Sequence, residues 1–211
     1  MSEELNSEIP APLAGVSRET IHRLRRYAAL LEAWNSRINL VADSTLSTIW
    51  ERHFADSAQL LPLIPGDAKR IVDLGSGAGF PGLVLALCLS DRAGLEVILI
   101  ESIAKKCRFL EAVIAETGAP ARVIQARAEA IAPIRADVVT ARAVAPLAEL
   151  LALARPFMGP QSLGLFLKGR KAEEELAAAQ RFWQFGFELV KSETDAQARI
   201  VVVRSRPHVR R

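Results

Sequence analysis

The sequence predicts an α/β protein with a mostly parallel seven-stranded sheet, one antiparallel strand and an N-terminal helical extension. Three observations favour this fold. From residue 70 onward, short apolar segments alternate with segments of helical periodicity. The last two apolar segments follow each other too closely for a parallel crossover. A glycine-rich turn, GSGAGFPG, occupies residues 75–82, directly after the first strand-like segment.

The first 66 residues predict a helical extension that precedes a second domain at residues 67–211. Ser17 is a typical N-cap, and apolar residues recur at helical spacing over residues 17–36. A second helix is predicted from Ser44 or Thr45 up to the prolines that begin at residue 62. After this point the pattern changes to alternating strands and helices.

Seven strands are predicted in the second domain. Their ranges are 71–74, 95–101, 121–126, 137–141, 162–168, 185–192 and 198–205, with helices near 82–90, 103–117, 146–155 and 170–184. Only a few residues separate the last two strands, so we expect them to form an antiparallel hairpin. A mostly parallel sheet that ends in one antiparallel strand is typical of the Rossmann-like class I S-adenosylmethionine-dependent methyltransferases.

Composition limits the class of protein. With 211 residues, of which 50% are hydrophobic and 24% charged, the chain has enough apolar surface for a packed core. The first ten residues are acidic and polar, unlike a signal peptide, and no apolar run approaches the length of a membrane span. Cys88 and Cys107 lack metal-ligand spacing. We therefore expect a cytoplasmic, reduced, monomeric protein without a metal or membrane partner.

Basic residues are clustered, although the net charge is only +3. The clusters lie at residues 23–26, 105–108, 168–171 and 204–211. Each is explained as well by a solvated helix face or a frayed tail as by contact with RNA.

The glycine-rich turn is compatible with a dinucleotide, a phosphate or S-adenosylmethionine. Residues 77–82 match GxGxxG, a weak signal for a dinucleotide. Asp73 at the end of the preceding strand disfavours an anionic pyrophosphate, and Pro81 removes one backbone N–H group that a phosphate would use. No GK[ST] follows, which excludes a Walker A loop. Cationic S-adenosylmethionine fits this turn best.

Three further strand ends carry candidate cofactor contacts. Glu101 ends the second strand, where a carboxylate can accept hydrogen bonds from a ribose; the alternative is a cap on the following helix. Ala128 and Glu129 follow the third strand and are placed either to contact an adenine ring or on a short solvated helix. Arg142 follows the fourth strand and can hold a carboxylate, a phosphate or a base edge, or form a structural ion pair.

The segment at residues 140–146 is informative about the type of methyl acceptor. It lacks the [DNS]PP[YFW] tetrad that methyltransferases acting on exocyclic amines place here. Cys88 and Cys107 lie inside predicted helices, so no thiol is expected at the strand ends for methylation of cytosine C5. Neither chemistry is favoured.

Taken together, these segments resemble the small-subunit ribosomal RNA methyltransferase G family, also called glucose-inhibited division protein B. The resemblance covers roughly residues 27–170. Its most specific motifs are WNxxxNL at residues 34–40 and RHFxDS at 52–57; the others are VDLGSGAGFPGLVLAL, ESIAKKCRFL, ARAEAI, VTARAVAPLAELL and LFLKGR.

The resemblance implies methyl transfer from S-adenosylmethionine to N7 of a guanine in 16S ribosomal RNA. The substrate would be the RNA itself or the small ribosomal subunit. The family's cofactor contacts fall by position on Gly75, Phe80, Ala128, Glu129 and Arg142. Gly77 and Glu101 complete the set that we expect to bind the cofactor.

Guanine N7 has a free lone pair, so this reaction requires alignment and no general base. No catalytic acid, base or thiol is therefore predicted. His53 and Asp56, three residues apart on one predicted helix face, are candidates for lining the base pocket or for packing the extension against the sheet. Lys168 is a candidate phosphate contact. Two other hypotheses remain: a nicotinamide-dependent oxidoreductase and a non-catalytic RNA-binding or division-associated protein with this fold.

Overall fold

The computed structural model describes residues 9–210, which are built around one seven-stranded sheet. The strand order is β3-β2-β1-β4-β5-β7-β6. The strands are β1 (Arg70–Leu74), β2 (Glu96–Glu101), β3 (Ala121–Gln125), β4 (Ala136–Arg142), β5 (Met158–Lys168), β6 (Trp183–Lys191) and β7 (Arg199–Val209). The first five pair in parallel, and β7 pairs antiparallel with both β5 and β6. The predicted fold class is confirmed.

Helices cover both faces of the sheet. They are α1 (Arg18–Ile38), α2 (Asp56–Ala58), α3 (Gly82–Cys88), α4 (Ala104–Thr117), α5 (Leu147–Ala154) and α6 (Ala172–Ala179). One hydrophobic cluster joins one sheet face to α1, α3 and α4, and a second joins the other face to α5 and α6. Strand β2 shows the alternation, because Val97 and Leu99 belong to the first cluster and Ile98 and Ile100 to the second.

Helix α1 has the termini that its sequence predicts. The Ser17 hydroxyl accepts a hydrogen bond from the Thr20 amide at 3.1 Å, and Asn39 ends the helix in the left-handed conformation with φ 48°. Apolar residues of α1 share a cluster with residues of the sheet, so the extension and the sheet bury a common core. The division into domains at residue 66 stays a prediction.

The single regular helix predicted after residue 44 is wrong. The segment forms a 3₁₀ turn at Asp43–Thr48, a π-helical turn at Trp50–Ala55, the short α2 and another 3₁₀ turn at Leu61–Leu63. The Ser57 hydroxyl donates to the His53 carbonyl at 2.7 Å, so a side chain supplies this carbonyl with a local partner. In the wider π turn, Phe54 packs against Trp50 and Phe80. Hydrophobic periodicity along the chain does not report such packing.

The last helix is also shorter than predicted. Helix α6 ends at Ala179, and β6 begins at Trp183. The Trp183 indole donates to the Ala148 carbonyl at 3.0 Å, a partner on α5 that the local sequence cannot indicate. The hairpin of β6 and β7 is confirmed, with β7 extending to Val209.

Several expectations concern absences or termini. Within residues 9–210, no helix is both long and apolar enough to cross a membrane. No group of three or more His, Cys, Asp and Glu side chains in the same range is placed to hold a metal ion. Both cysteines are free, and Cys107 is buried. The acidic residues 1–8 and the final residue of the basic tail lie outside the described range.

Candidate functional site

The candidate site lies at the carboxyl end of the parallel strands. The strand order reverses between β1 and β4, and ligands of open α/β sheets bind at such switch points. Gly75, after β1, has φ 61°, and a Cβ added there would lie 2.8 Å from Cγ2 of Val144, after β4. Only glycine permits both this conformation and this close approach. The loops after β1 and β4 therefore flank a crevice, and the backbone of Gly75 forms its wall on the β1 side.

Tyr27 of α1 fixes the glycine-rich turn from below. Its buried hydroxyl donates a hydrogen bond to the Ala78 carbonyl, and its ring stacks on Phe80 with centroids 5.3 Å apart. Burial raises the pKa of Tyr27 well above its usual value, so the hydroxyl stays a donor. Sequence reasoning missed this contact; its one signal is the tyrosine on the apolar face of α1.

Asp73 does not reach the crevice, contrary to its expected role at the strand end. It is completely buried, and its Oδ1 accepts a hydrogen bond from the Thr140 hydroxyl at 2.7 Å. Its Oδ2 is buried without a hydrogen-bond partner among residues 9–210. Burial raises the pKa of Asp73 to about 6, against the lowering effect of its hydrogen bond with Thr140. The Asp73 carboxylate therefore links β1 to β4 inside the protein.

Glu101 braces the turn and the next helix at once. Its Oε2 accepts from the Gly77 amide at 2.9 Å, and its Oε1 accepts from the Ile103 amide at 2.8 Å, one residue before α4. The helix-capping alternative is thus part of the structure. Each carboxylate oxygen has a second lone pair, so both can still accept a hydrogen bond from a ligand hydroxyl.

Ala128 and Glu129 lie in a 3₁₀ turn after β3, at the same edge of the sheet as Glu101. Ala128 is half-buried and Glu129 is exposed. Cys107 is also close to this edge, since its thiol contacts the Glu101 carbonyl at 3.3 Å in the first turn of α4. Burial raises the pKa of Cys107, which disfavours a thiolate. Cys107 lies in a helix, as predicted, but in its first turn, so its thiol is next to the end of β2.

Phe80 joins the two halves of the site. The Arg142 guanidinium carbon lies 4.9 Å from the centroid of its ring, and the His53 imidazole stacks on it at 5.0 Å. Phe80 itself is buried, which sets the position of both polar groups. The structure thereby brings together three residues predicted separately from the glycine turn, the fourth strand and the RHFxDS motif.

Arg142 forms an ion pair with Asp56. Its Nη1 lies 3.2 Å from Asp56 Oδ2 and also donates to the Arg52 carbonyl at 3.1 Å. The other oxygen of Asp56 accepts from Thr194 at 2.9 Å and from Gln59 at 2.8 Å. Both oxygens of the carboxylate are therefore engaged, and its charge is neutralised by Arg142.

His53 is a neutral imidazole whose tautomer follows from its neighbours. The Thr45 hydroxyl donates its hydrogen to the Ala42 carbonyl at 2.7 Å, so it accepts from His53 Nε2 at 2.9 Å. Nδ1 is then the acceptor, and it is buried without a partner in the described part of the chain. Burial, followed by the charges of Arg142 and Arg52, lowers the pKa of His53 to about 4.

A cavity of about 680 Å³ opens beside these residues. His53, Asp56, Arg142 and Lys168 line it, together with residues of the loop between β6 and β7. Thr194 of that loop donates its hydroxyl to Asp56 at 2.9 Å, which attaches the loop to the RHFxDS segment, and the Glu193 amide donates to the nearby Gln59 at 2.8 Å. The volume is suitable for a nucleoside-sized ligand.

Lys168 lines the cavity but its charge is held inside the protein. Its Nζ lies 2.6 Å from Glu175 and donates to the Ala145 carbonyl at 2.7 Å. Glu175 also accepts from the Leu147 amide at 2.9 Å, at the start of α5. Contact of Lys168 with a phosphate therefore stays a prediction. Such a contact requires the ammonium group to leave Glu175 or the Ala145 carbonyl, or to bind the phosphate in addition to them.

The WNxxxNL motif has a structural role. Asn35 is buried, and its side-chain oxygen accepts from the amides of Leu40 and Val41 at 2.9 Å each. Its amide nitrogen donates to Asp43 at 2.8 Å. Asn35 thus ends α1 and directs the following segment toward the cavity.

Comparisons with known proteins identify the family to which the sequence is similar. Residues 20–201 match the model of the family described as rRNA small subunit methyltransferase G. A protein of Parvibaculum lavamentivorans named ribosomal RNA small subunit methyltransferase G is 45% identical over 202 residues, covering 95% of this chain and 89% of that protein.

Two solved structures resemble the fold at low sequence identity. A putative O-methyltransferase from Klebsiella pneumoniae has a TM-score of 0.58 at 12% identity, covering 87% of this chain and 90% of that one. A mutant of MtNAS in complex with S-adenosylmethionine has a TM-score of 0.56 at 15% identity, covering 88% and 76% of the two chains. These likenesses support the fold.

Proposed function

Because this chain belongs to the rRNA small subunit methyltransferase G family, whose members methylate small-subunit ribosomal RNA, we propose that it transfers a methyl group from S-adenosylmethionine to N7 of a guanine in 16S ribosomal RNA. The observation that carries the choice of N7 is the pairing of the charged groups that line the cavity. Asp56 is bound to Arg142, and Lys168 is bound to Glu175. His53 is neutral at physiological pH because its pKa is about 4.

Such a site is suited to binding and orientation rather than to proton removal. Guanine N7 attacks through a lone pair and loses no proton, so alignment supplies most of the rate. An exocyclic amine must lose a proton in the course of methylation, and a paired Asp56 is a poor base for that step. The geometry therefore supports N7 better than an amine.

The residues at the β1–β4 crevice fit S-adenosylmethionine. Gly75 presents bare backbone at the switch point, and Glu101 keeps lone pairs free at the end of β2. Gly75, Gly77, Phe80, Glu101, Ala128, Glu129 and Arg142 are the residues that we propose to hold it. The cofactor supplies an electrophilic methyl group on a sulfonium; the protein supplies the positions of both reactants.

The target base would enter the cavity beside Phe80. Guanine presents N–H donors on its Watson–Crick edge, and Asp56 Oδ2, which is paired with Arg142, keeps a second lone pair that can accept from such a donor. Arg142 and His53 form the adjoining wall, and the buried Phe80 ring packs behind both. His53 and Asp56 are thus proposed to line the base pocket, and Lys168 to lie near its phosphate.

The test is to incubate the protein with labelled S-adenosylmethionine and small ribosomal subunits that lack the modification. We expect label at one guanine, released by the strand cleavage specific for 7-methylguanine. Label at an amine or a ribose would contradict the choice of N7. Calorimetry with S-adenosylhomocysteine and with NAD distinguishes the proposed methyltransferase from an oxidoreductase. Tight binding of NAD and no binding of S-adenosylhomocysteine would overturn the proposal.

A further inference from the structure

Three arginines meet at the end of the sheet opposite to the candidate site. Arg135 directly precedes β4, Arg155 follows α5, and Arg206 lies in the second half of the antiparallel β7. Arg142 ends the same strand that Arg135 precedes, so β4 separates the two ends by about 20 Å at about 3.3 Å per residue. This arginine cluster, Arg135, Arg155 and Arg206, is outside the site described above.

Main-chain carbonyls hold the cluster in place. Arg155 Nε donates to the Pro207 carbonyl at 3.2 Å, and Arg206 Nε donates to the Arg155 carbonyl at 3.2 Å. Arg135 Nη1 donates to the Met158 carbonyl at 2.7 Å. These bonds fix the guanidinium groups near one another. The Nη groups of Arg155 and Arg206 make no hydrogen bond to any described residue.

The charges of the cluster are not neutralised by the protein. Among residues 9–210, no carboxylate forms an ion pair with any of these three guanidinium groups. Asp137 lines the same depression as Arg135, but its Oδ2 accepts from the amides of Lys69 and Arg70 at 2.8 Å each. Burial, and then the charges of Arg155 and Arg135, lowers the pKa of Arg206. An anionic partner would relieve this repulsion.

Three exposed arginines elsewhere in the chain are paired with acidic residues and show the contrast. Arg122 is paired with Glu96 at 2.8 Å, and Arg204 with Glu188 at 2.8 Å. Arg26 is paired with Glu116. The arginine cluster thus differs from these in being concentrated, fixed by backbone contacts and without acidic partners in the described range.

We propose that the arginine cluster is a second RNA-binding surface, which binds backbone phosphates of the ribosomal RNA substrate about 20 Å from the methyl-transfer site. Free guanidinium forks match phosphate oxygens, and contacts of this type orient a protein on RNA without reading its sequence. Phe182, which is 63% exposed, lies at the same end of the sheet and offers a face for a base. The identity of the RNA rests on the proposed function.

The test compares two triple variants with the same change in net charge. One is Arg135→Gln, Arg155→Gln and Arg206→Gln; the control is Arg26→Gln, Arg122→Gln and Arg204→Gln. Binding to unmodified small subunits is measured without cofactor over a series of salt concentrations. We expect the first variant to bind about tenfold or more weakly, with a salt slope reduced by about 2, and the control to change by less than about threefold.

Affinity for S-adenosylhomocysteine should be unchanged in both variants, which separates this surface from the methyl-transfer site. Equal affinity and equal salt slope for the wild type and a folded cluster variant would overturn the proposal, whatever the outcome for N7. If the cluster variant does not fold, phenylglyoxal modification of the wild type replaces it. Protection of Arg206 by protein-free 16S RNA or by unmodified small subunits supports the proposal; protection by neither, or equal protection by inorganic phosphate, contradicts it.

Discussion

The guanidinium carbon of Arg142 lies 4.9 Å from the centroid of the Phe80 ring, while its Nη1 is paired with Asp56 at 3.2 Å. Phe80 belongs to the glycine-rich turn and Asp56 to the N-terminal extension. Arg142 therefore connects the proposed cofactor crevice to the proposed base pocket. The consequences of this connection are testable by substitution.

Arg142→Ala removes the ion pair and the contact with Phe80 together. We expect kcat/KM for small subunits to fall by about 10- to 100-fold, the usual cost of losing a partly buried charged contact. Lys105→Ala, in an exposed basic cluster, is the control and should cost less. Equal losses in a methylation assay would show that Arg142 has no special position in the site.

Tyr27→Phe removes the hydroxyl that holds the Ala78 carbonyl. An unsatisfied buried acceptor should lower the free energy of unfolding by about 1–3 kcal/mol. Affinity for S-adenosylhomocysteine should fall as well, because the turn loses its support. Thr117→Val is the matched control: it deletes a buried hydroxyl that donates to the Val113 carbonyl at 2.7 Å, far from the turn. Loss of ligand affinity in both variants, measured by calorimetry, would refute the specific role of Tyr27.

Asp73 makes stability depend on pH. Its folded pKa of about 6 exceeds the ordinary value of 3.8, so the folded state binds more protons between these values. The contribution of Asp73 to the free energy of unfolding should therefore fall by about 2–3 kcal/mol as pH rises from about 4 to 7.

Asp73→Asn should remove this dependence, whereas Asp67→Asn, at an exposed carboxylate, should keep it. Urea unfolding at a series of pH values between about 4 and 7 measures the effect. A wild type and an Asp73→Asn variant whose stability difference is constant across this range would contradict the raised pKa.

His53 should remain neutral above about pH 5. Its folded pKa of about 4 lies below the ordinary 6.5, so the unfolded state binds more protons between these values. The resulting stability is present above pH 6.5 and is lost as pH falls toward 4. Nitrogen NMR should show a proton on Nε2 and no titration of His53 near pH 6.5. Titration of His53 near pH 6.5 would refute the assignment.

Asp56→Asn places amide hydrogens or a neutral oxygen against Arg142. Because this pair is largely buried, we expect a loss of about 1–3 kcal/mol in unfolding free energy and a higher KM for small subunits. Asp195→Asn is the control, since Asp195 and Arg52 form a longer and more exposed pair at 3.6 Å. Its effect should stay within about 0.5 kcal/mol.

Strands and long helices follow from local pattern because their periodicities reflect burial on one or two faces. The continuous apolar run of β2, buried on both faces, and the Ser17 cap of α1 are examples of signals that the chain carries locally. The segment after residue 42 shows the limit of this reasoning. Helical spacing is present there, but aromatic packing on Phe80 and Tyr27 accompanies 3₁₀ and π-helical turns instead.

Local pattern is sufficient for the fold class, the succession of strands along the chain and the residues of the glycine-rich turn, since hydrophobic period and turn chemistry are local properties. Which charged side chains form ion pairs is decided only by the tertiary structure. Arg142 is 86 residues from Asp56, and Lys168 is enclosed by Glu175 rather than presented to a phosphate. Such pairings depend on how the strands are ordered in space, and no periodicity in the chain encodes that order.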